Sequence, residues 1–594
     1  MSNFSVEVKR LIDIVPYQIA NFPREDALCD KKNGKWHKYS STDIQKQADK
    51  VSLGLLKMGF NKGDKFAIIS ANRTEWTFTD LGILQMGGVD VPIYPNMSEE
   101  QYEYIFNDAE VKLVFVGNEE LYEKVMRVIP KTPSVKGVYS FDKLDGIKHW
   151  TEIQLAADDS LSGKLEEIEN SIKPMDLVTL IYTSGTTGVP KGVMLCHNNI
   201  ISNIKALTQI IPMAKDDRML SFLPICHVFE RTAVYYYLSL GSAVYFAESI
   251  DKVGENLKEV KPNYFTTVPR LLEKVYEKIM DKGRELPPAK KAIFGWAVNL
   301  GKHYNPKGEN NWFYNLRLFF ARKLVFSKWM EALGGEVKGI ISGSAALQPR
   351  LAKIFTAAGA PVRPGYGLTE TSPVLTCNRF IKGGYYLGTV GMPIPECEIK
   401  LAESGEILAK GPMVMLGYYN KPEITKQVID EDGWFHTGDI GEWVDGKFLK
   451  ITDRVKQVFK TSGGKYVTPL PIENKMKESL FIDEIMVIGE NQKFTAALIV
   501  PHFEFIRKWC KKKCEGLETN EQIANSKQVK ERIWEDIQKY NKRFGHIQQI
   551  KKFELVPNPW TVETDELTPT LKLKRKVIKK KYKHLINKIY DIKE

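Results

Sequence analysis

Long apolar runs and a secretion signal are both missing from this sequence. No stretch of eighteen uninterrupted apolar residues occurs, and the nearest candidate, residues 232–247, is rich in tyrosine and interrupted by serine and glycine. We interpret that stretch as buried core. Residues 1–15 lack the basic and then apolar pattern of a signal peptide. We therefore expect a cytoplasmic protein, and a peripheral position on the inner membrane surface stays open as an alternative.

Cysteine is also scarce. Seven cysteines are scattered over 594 residues without a repeated framework, and the pair Cys510 and Cys514 has no second pair to complete a zinc site. Reduced thiols of a cytosolic protein are the simplest interpretation, which excludes a disulfide scaffold. A chain of this length is too long for one ordinary core, so two or more domains are expected.

Acidic residues are outnumbered. The net charge is +12 and the pI is about 9.0, which favours anionic partners such as a nucleotide, coenzyme A, acidic lipid headgroups or nucleic acid. The excess is uneven, since residues 572–583 carry eight basic side chains and no acid. Charge alone does not choose among these partners.

Short β-branched strands alternate with helical spacing along most of the chain. Residues 64–95 read as strand, helix and strand, and further apolar strands are predicted at 111–117, 177–185 and 242–248. This alternation predicts a multi-domain α/β protein with layered, largely parallel sheets.

The predicted pattern of secondary structure changes after residue 384. Residues 385–452 have short strands and frequent glycines, typical of a small β subdomain, and charged helices follow Asp453. We predict an N-terminal domain over 1–452 and a smaller α+β domain over 453–594.

Residues 283–330 mix Trp, Phe, Lys and Arg at roughly helical spacing. Two interpretations stay open for this segment. It is either a solvated amphipathic helix pair or a surface that contacts an anionic membrane.

The strongest motif is YTSGTTGVPKG at residues 182–192, directly after an apolar strand. Hydroxyls, glycines and one lysine alternate there, which suits the binding of anionic oxygens by side chains and by closely approaching backbone. The residues in question are Thr183, Ser184, Gly185, Thr186, Thr187, Gly188 and Lys191. The loop is not a Walker A motif, because Pro190 stands where that motif requires glycine.

This motif resembles the phosphate loop of the adenylate-forming superfamily of acyl-CoA synthetases, luciferases and peptide-synthetase adenylation domains. Further blocks resemble the superfamily in order along the chain: SGSAAL at 342–347, YGLTE at 366–370, GEI at 405–407, GYY at 417–419, WFHTGD at 434–439, DRVK at 453–456 and TPTLKLKR at 568–575. The ordered set spans roughly residues 40–580, so chance is excluded.

The resemblance implies a large N-terminal domain, a mobile C-terminal domain and binding of ATP. It assigns nucleotide contacts, in addition to the phosphate loop, to Gly343, Ser344, Ala345, Gly365, Tyr366, Gly367, Thr369, Asp439 and Arg454. Glu370 is implied as a Mg²⁺ ligand with Thr183 as its partner, since a hard cation prefers such oxygens. Thr369 is implied at the α-phosphate, and Asp439 at the ribose hydroxyls.

The C-terminal block is implied to supply the adenylation lysine. Lys572 fits the spacing T-x-x-x-K-x-x-R with Thr568 and Arg575, and Lys574 and Lys576 are nearby competitors. An ammonium there would bridge the incoming carboxylate and the α-phosphate. Asp453 is implied as the hinge. Because this motif explains the start of the basic tail, no nucleic-acid partner is expected.

His227 lies in LPICHVFERT. It is either a core histidine that caps a strand or, as the resemblance implies, a catalytic residue beside the acyl and thiol channel. HVFER together with LTPTLKLKR resembles the long-chain branch. The expected reaction joins a long-chain fatty acid to coenzyme A through an acyl-AMP. Transfer to a carrier protein's phosphopantetheine, and a non-catalytic lipid-binding scaffold, stay open as alternatives.

One position departs from the superfamily pattern. Pro364 precedes Gly365, where many relatives carry Glu, Gln or Asn. A side-chain contact to the adenine edge is therefore not expected here, and backbone groups would have to replace it.

Overall fold

The computed structural model describes residues 7–184, 189–307, 310–513, 517–568 and 572–592, with backbone alone at 184 and 511–513. The chain divides into two compact units. Unit 1 comprises Met1–Lys400, Leu408–His436 and Trp443–Leu449, and unit 2 comprises Leu401–Ile407, Thr437–Glu442 and Lys450–Glu594. Each unit is described by itself.

The strands of the described residues are β1 (Leu28–Lys32), β2 (Lys35–Tyr39), β3 (Lys65–Ile69), β4 (Val89–Pro92), β5 (Leu113–Val116), β6 (Gly137–Ser140), β7 (Leu177–Ser184), β8 (Pro190–Cys196), β9 (Arg218–Ser221), β10 (Ala243–Phe246), β11 (Tyr264–Thr267), β12 (Gly339–Ser342), β13 (Val362–Gly367), β14 (Val374–Cys377), β15 (Met392–Pro393), β16 (Glu398–Leu401), β17 (Glu406–Lys410), β18 (Gly417–Tyr418), β19 (Phe435–Val444), β20 (Phe448–Arg454), β21 (Phe459–Lys460), β22 (Tyr466–Val467), β23 (Ile482–Ile488), β24 (Ala496–Pro501) and β25 (Lys552–Leu555).

The α-helices of the same residues are α1 (Ile14–Asn21), α2 (Ser41–Lys57), α3 (Thr74–Gln85), α4 (Glu99–Asp108), α5 (Glu119–Val128), α6 (Thr151–Leu155), α7 (Ser162–Ser171), α8 (His197–Ile210), α9 (Val228–Ser239), α10 (Val253–Val260), α11 (Pro269–Arg284), α12 (Pro288–Lys302), α13 (Trp312–Ala321), α14 (Ser327–Ala332), α15 (Pro349–Ala358), α16 (Pro422–Lys426), α17 (Pro469–Met476), α18 (Phe503–Lys513), α19 (Asn520–Asn525), α20 (Lys527–Asn541), α21 (Arg575–Lys581) and α22 (Lys583–Tyr590).

Two sheets dominate unit 1. Among the described residues, one sheet has nine strands in the order β15-β14-β13-β12-β11-β9-β10-β1-β2, and the other has seven in the order β18-β8-β7-β4-β3-β5-β6. Their central pairs are parallel, with antiparallel pairs toward the edges. The strands predicted near residues 66, 113, 180 and 244 are confirmed. Strands of this kind are apolar throughout because helices cover both faces of a parallel sheet.

Local sequence explains where the covering helices start. Ser40 and Ser98 begin α2 and α4 with reciprocal capping boxes, in which Asp43 and Gln101 return a hydrogen bond to the cap backbone. Residues 232–247, interpreted from sequence as core, form the end of α9 and the whole of β10, and nearly all of their side chains are buried.

Unit 2 has its own core. Strands β23, β24 and β25 form a three-stranded sheet in the described part of this unit, with β24 buried along its whole length. Ile533 and Ile537 of α20 belong to the same buried cluster as Leu498 of β24. A separate core is what an independently folding unit requires.

No helix in the described part of the chain is long and apolar enough to cross a membrane. Cys510 is buried as a free thiol, and Cys514 lies outside the described residues.

Candidate active site

The carboxyl ends of β11, β12 and β13 bring two predicted nucleotide segments together. Ser342 pairs with Thr267 on one side and with Pro364 on the other, so the turn at 343–345 and the segment 365–367 leave neighbouring parallel strands. Ligands of open α/β sheets bind at this edge. The structure therefore places Gly343, Ser344 and Ala345 beside Gly365, Tyr366 and Gly367.

The turn after β12 has a tight backbone. The Gly343 amide donates to the Thr267 carbonyl at 3.1 Å, the Ala345 amide donates to the Gly343 carbonyl at 2.9 Å, and Ser344 has a φ of +67°. A left-handed serine is uncommon and persists only where the surroundings hold it.

Only glycine fits at position 367, because the backbone of residue 373 approaches it closely. A Cβ at this position would lie 1.6 Å from the Pro373 carbonyl oxygen. The same oxygen accepts hydrogen bonds from the Leu368 amide at 3.1 Å and from the Thr371 hydroxyl at 2.6 Å. These contacts fix the short 3₁₀ turn Thr369–Thr371, in which Thr369 is buried and Glu370 half-buried.

Glu370 is held by a residue that the sequence analysis did not single out. The Tyr418 hydroxyl donates to Glu370 Oε1 at 2.8 Å, and the Met415 amide donates to the Glu370 carbonyl at 2.9 Å. Burial, with the Glu370 charge added to it, raises the pKa of Tyr418, so Tyr418 stays a proton donor. The GYY block at 417–419 was the only sequence signal for this contact, and it does not show which of the two tyrosines faces Glu370.

The strand pair β7–β8 brings the start of the phosphate loop to the same place. Thr183 lies opposite Lys191, and the Lys191 ammonium is 4.9 Å from the centre of the Tyr418 ring. Lys191 and Glu370 therefore contact opposite parts of one tyrosine. Gly185, Thr186, Thr187 and Gly188, and the side chain of Ser184, lie outside the described residues.

The residues implied for Mg²⁺ fit that ion chemically. Glu370 and Thr183 supply a carboxylate and a hydroxyl oxygen, and the Tyr418 bond fixes one carboxylate oxygen. Mg²⁺ binds through one or two protein oxygens when phosphates and water complete its shell. In the described residues, no group of three or more His, Cys, Asp or Glu side chains is arranged to hold a metal.

His227 caps a helix, not a strand. Its Nδ1 accepts a hydrogen bond from the Phe229 amide at 3.1 Å at the start of α9, and its ring centre lies 6.4 Å from that of Tyr94. The strand alternative was therefore wrong, because the chain turns into α9 directly at this residue. The Phe229 ring lies so close to Gly343 that a Cβ there would be 3.1 Å from it. His227 is thus two residues before a ring that packs against the turn predicted to contact nucleotide.

A buried acid lies behind this contact. Glu230, in the first turn of α9, accepts a hydrogen bond from the Thr266 hydroxyl, and burial raises the pKa of Glu230 to about 7. Thr266 precedes Thr267, whose carbonyl holds Gly343. Behind the turn, therefore, lies a carboxyl group whose charged form is disfavoured by burial.

Arg231 of the HVFER segment is a buried structural cation. Its guanidinium donates to both oxygens of Asp80, at 2.6 and 3.0 Å, and lies 3.3 Å from Asp90. The Tyr235 hydroxyl also donates to Asp80 at 2.6 Å. Burial raises the pKa of Asp90, since one cation serves two buried acids. These contacts anchor α9 and so fix His227.

In unit 2, Asp439 and Arg454 are paired with each other. Arg454 Nε lies 2.9 Å from Asp439 Oδ1, and the Asp439 side chain is 5% exposed against 38% for Arg454. Both residues were predicted to contact nucleotide. The exposed fraction of Arg454 leaves donors on the outer side of the guanidinium.

Asp453 is completely buried beside them. Its Oδ1 accepts from the Arg454 amide at 2.6 Å, and its Oδ2 accepts from the Leu470 amide at 3.4 Å. Burial raises the pKa of Asp453 to about 6, and the nearby Glu473 charge adds to the increase. This carboxyl joins β20 to the turn that starts α17.

The C-terminal lysine lies at the neck of a hairpin. The Lys572 amide donates to the Thr568 hydroxyl at 3.0 Å, and the Thr568 amide donates to the Lys572 carbonyl at 2.8 Å. The Lys572 side chain is exposed. Lys574 is bonded to Asp565, and Arg575 is bonded to Glu473 and to the Val487 carbonyl.

The basic tail is partly neutralised within unit 2. Besides Lys574 and Arg575, two further cations pair with acids: Lys579 with Glu490 at 2.7 Å and Lys581 with Glu566 at 2.6 Å. The tail is therefore less positive than its sequence alone indicates.

Comparison with known proteins agrees with this geometry. A family model described as AMP-binding enzyme matches residues 15–419, and one described as AMP-binding enzyme C-terminal domain matches residues 456–594. Two solved structures share the fold. A Mycobacterium tuberculosis fatty acyl CoA synthetase matches with a TM-score of 0.61 at 21% identity, covering 97% of this chain and 99% of that chain. The adenylation domain of a carboxylate reductase from Mycobacterium chelonae matches with a TM-score of 0.74 at 22% identity, covering 98% and 91%.

Curated relatives are similar over nearly their whole length. Long-chain-fatty-acid--CoA ligase FadD15 of Mycobacterium bovis is 31% identical over 572 residues, covering 94% of this chain and 93% of that protein. Long-chain-fatty-acid--CoA ligase 5 of Mus musculus is 33% identical over 616 residues, covering 96% and 88%. The chain belongs to the AMP-binding enzyme family and has the fold of the adenylate-forming enzymes.

Proposed function

We propose that this protein activates a long-chain fatty acid with ATP and transfers the acyl group to coenzyme A. The observation that carries the proposal is the cluster of Thr183, Lys191, Tyr418 and Glu370 at the end of β7–β8, next to the turns after β12 and β13. The long-chain substrate comes from the relatives, which are named as long-chain fatty acid ligases.

In the first half-reaction, a carboxylate oxygen of the fatty acid attacks the α-phosphorus of ATP, and pyrophosphate leaves. Both reactants are anions, so the protein must align them and compensate their charge. Mg²⁺, when bound, neutralises charge on the phosphates. Glu370 and Thr183 would hold it, Lys191 would contact the phosphates, and Thr369 would donate to the α-phosphate. Tyr366 would lie against the adenine.

Asp439, Arg454 and Lys572 are proposed to supply further contacts to the reactants. Asp439 would accept hydrogen bonds from the ribose hydroxyls, with Arg454 donating to ribose or phosphate. Lys572 would bridge the fatty acid carboxylate and the α-phosphate, a choice that rests on its spacing from Thr568 and Arg575. Because Pro364 offers no polar side chain and its carbonyl already accepts from the Asn378 amide at 3.0 Å, adenine would be read by other backbone groups.

In the second half-reaction, the thiol sulfur of coenzyme A attacks the acyl carbonyl carbon of the acyl-AMP, and AMP leaves. We propose that residues 453–594 change orientation about Asp453 between the two steps, so that Lys572 leaves and the thiol enters. His227, fixed by its cap to α9, would orient the reactants at the acyl carbonyl.

One assay tests the proposal. Pyrophosphate release is measured with ATP and palmitate, with and without coenzyme A, followed by acids from C2 to C18. We expect release that depends on palmitate and continues to acyl-CoA, with palmitate favoured over acetate by orders of magnitude in kcat/KM, since each buried methylene is worth about 0.8 kcal/mol. If a phosphopantetheine carrier but not coenzyme A supported turnover, the carrier and not coenzyme A would be the acyl acceptor. If no pyrophosphate were released, a non-catalytic scaffold would be supported.

Peripheral contact with an anionic membrane surface, one of the two interpretations left open for residues 283–330, is independent of the reaction and stays a proposal.

A further inference from the structure

The side-chain amide of Asn72 links two segments that follow strands of different sheets in unit 1. Asn72 lies between β3 of the seven-stranded sheet and α3, and it is half-buried. Its Nδ2 donates to the Leu223 carbonyl at 2.7 Å and to the Ser221 hydroxyl at 3.2 Å. Its Oδ1 accepts from the Ile225 amide at 2.9 Å. These bonds hold residues 222–227, which follow β9 of the nine-stranded sheet and which we call the histidine loop.

The histidine loop depends on such partners because it contains no helix or strand. Leu223 and Ile225 are buried, so their backbone polar groups must find partners inside the protein. Within the loop, the His227 amide donates to the Pro224 carbonyl at 3.0 Å. Asn72 supplies the bonds that this turn does not, since one amide group offers both a donor and an acceptor.

Asn72 is itself attached to a fixed part of the chain. The guanidinium of the next residue, Arg73, donates to Glu75 Oε2 at 3.0 Å. It also donates to the Gly117 carbonyl at 3.0 Å and to Asp142 Oδ1 at 2.9 Å. The amide of Asn72 is therefore presented from a backbone that has little freedom to shift.

The position of the histidine loop sets the direction of the His227 ring. Nδ1 of this ring accepts from the Phe229 amide at 3.1 Å, so the neutral ring carries its proton on Nε2. A hydrogen bond donated from Nε2 is directional. A displacement of about 1 Å at a reacting group is able to cost about 10²-fold in rate. The clamp at Asn72 thus has a consequence for chemistry as well as for folding.

We propose that Asn72 is a positioning residue for thioester formation and acts through the histidine loop on His227. The inference rests on the proposed function, in which His227 orients the reactants at the acyl carbonyl. Asn72 touches neither reactant in this proposal. The turns after β12 and β13, which are predicted to contact nucleotide, have their own backbone contacts, so ATP binding should not depend on Asn72.

Thioester formation by the full chain from synthetic acyl-AMP and coenzyme A tests the proposal. Asn72→Ala should lower kcat for this step about tenfold, because the ring is no longer held in one position. The KM for ATP in pyrophosphate release should stay unchanged. If Asn72→Ala does not fold, Asn72→Asp is measured instead. It keeps the acceptor for the Ile225 amide, loses the donor to the Leu223 carbonyl and should show the same selective defect.

Asn263→Ala is the matched control. Asn263 Oδ1 accepts from the Arg218 amide at 2.9 Å, and its Nδ2 donates to the Glu336 carbonyl at 3.2 Å. This asparagine makes a similar clamp at the opposite end of β9, far along the strand from the histidine loop. A purely structural loss would appear in both variants, whereas positioning predicts that Asn263→Ala keeps kcat close to the wild type.

Two further measurements identify the route. In a double-mutant cycle, Asn72→Ala should lower the rate of the His227→Ala variant by less than about twofold, because the two residues act as one unit. Hydrogen exchange followed by mass spectrometry should be faster over residues 221–229 in Asn72→Ala, since the Ile225 amide loses its acceptor. The exchange measurement needs no substrate.

Four results would overturn the inference alone: wild-type thioester formation by folded Asn72→Ala, an equal defect in Asn263→Ala, full additivity with His227→Ala, or unchanged exchange over residues 221–229. Absence of thioester formation by the wild type would overturn the proposed function together with this inference. The two failures are therefore distinguishable.

Discussion

The carboxyl edge of the nine-stranded sheet in unit 1 and the lysine hairpin of unit 2 differ in how far their predicted site residues are buried. In unit 1, two of the described site residues are fixed by their neighbours: Gly367 by the Pro373 carbonyl and Glu370, which is half-buried, by the Tyr418 hydroxyl. In unit 2, the Lys572 side chain is exposed at the neck of a hairpin, where its backbone pairs with Thr568.

The proposed mechanism would give these two regions different tasks. Groups that bind a nucleotide and a metal ion act best when they are oriented in advance, because no reorganisation is then needed during the reaction. A charge that is needed in only one of two half-reactions must instead be able to leave. The predictions below test this contrast, beginning with the fixed region.

The largest effect is expected for Glu370→Ala. Loss of the carboxylate leaves the phosphate charge uncompensated, so adenylation should fall by at least about 10³-fold. Pyrophosphate release with palmitate at ordinary Mg²⁺ measures it. Glu255→Ala, which removes a surface acid of α10 paired with Lys252, is the control and should keep wild-type activity. If the folded Glu370→Ala variant released pyrophosphate at close to the wild-type rate, the assignment of Glu370 as a metal ligand would be wrong.

Lys572→Ala should separate the half-reactions. Acyl-AMP formation should fall by about 10²-fold, the scale of one lost preorganised charge contact. Thioester formation from synthetic acyl-AMP and coenzyme A should stay close to normal, because Lys572 is not needed in that step.

Lys574→Ala and Lys576→Ala are the matched controls for the register. Both should keep adenylation, since Lys574 is bonded to Asp565 and Lys576 lies on α21. A selective adenylation defect in Lys574→Ala would shift the assignment by two residues. Equal loss of both half-reactions in Lys572→Ala would contradict the two-orientation mechanism.

Tyr418→Phe should have an intermediate effect. It removes the 2.8 Å hydrogen bond that orients Glu370 but keeps the ring against Lys191. We expect kcat for adenylation to decrease about tenfold, which corresponds to the free energy of a hydrogen bond to a charged group. The Mg²⁺ concentration that gives the half-maximal rate should also rise. Tyr419→Phe is the control. An unchanged Mg²⁺ requirement in Tyr418→Phe would show that Tyr418 does not position the ligand.

The smallest effect concerns stability and pH. Asp453 has a folded-state pKa of about 6 against an ordinary value of 3.8, so the folded protein binds this proton more tightly than the unfolded chain. The resulting contribution to the free energy of unfolding is fully present below about pH 4 and is lost as the pH rises from about 4 to 6. Asp453→Asn removes this dependence. Between pH 4 and 7, the free energy of unfolding of wild type relative to this variant should fall by about 1 kcal/mol after relaxation and solvent entry are allowed for.

Urea unfolding of both proteins at the two pH values measures this difference. Asp591→Asn, which changes an exposed acid at the end of α22, should show no such relative change. A constant difference between wild type and Asp453→Asn across this range would show that the Asp453 carboxyl is not destabilised by its burial.

The sequence predicted the fold class and the places where chemistry is concentrated. The apolar strands near residues 66, 113, 180 and 244 are read from period and composition, because those patterns reflect burial directly. The ordered motifs identified the family, which the matches over 15–419 and 456–594 confirm. The roles of the individual site residues remain predictions.

Local sequence could not give contacts that join distant segments. The pattern around His227 left a strand cap and a functional role open, and only the path of the chain shows a helix cap. Nothing in the sequence around Arg231 shows that it is buried beside Asp80 and Asp90, which lie more than 140 positions earlier in the chain. Desolvation of such a group depends on the whole surrounding fold.

What the sequence determined by itself was the set of backbone and side-chain types at the site: glycines where the chain passes closely, hydroxyls and a lysine for phosphate, and one carboxylate for a cation. Only the tertiary structure decided which of them meet. Tyr418 reaches Glu370, 48 positions away, because β18 pairs with β8 at the edge of the seven-stranded sheet. The residue types in a motif indicate which interactions they are able to make. Electrostatic and hydrogen-bond energies depend on distances in space, and those distances are set by the packing of the fold.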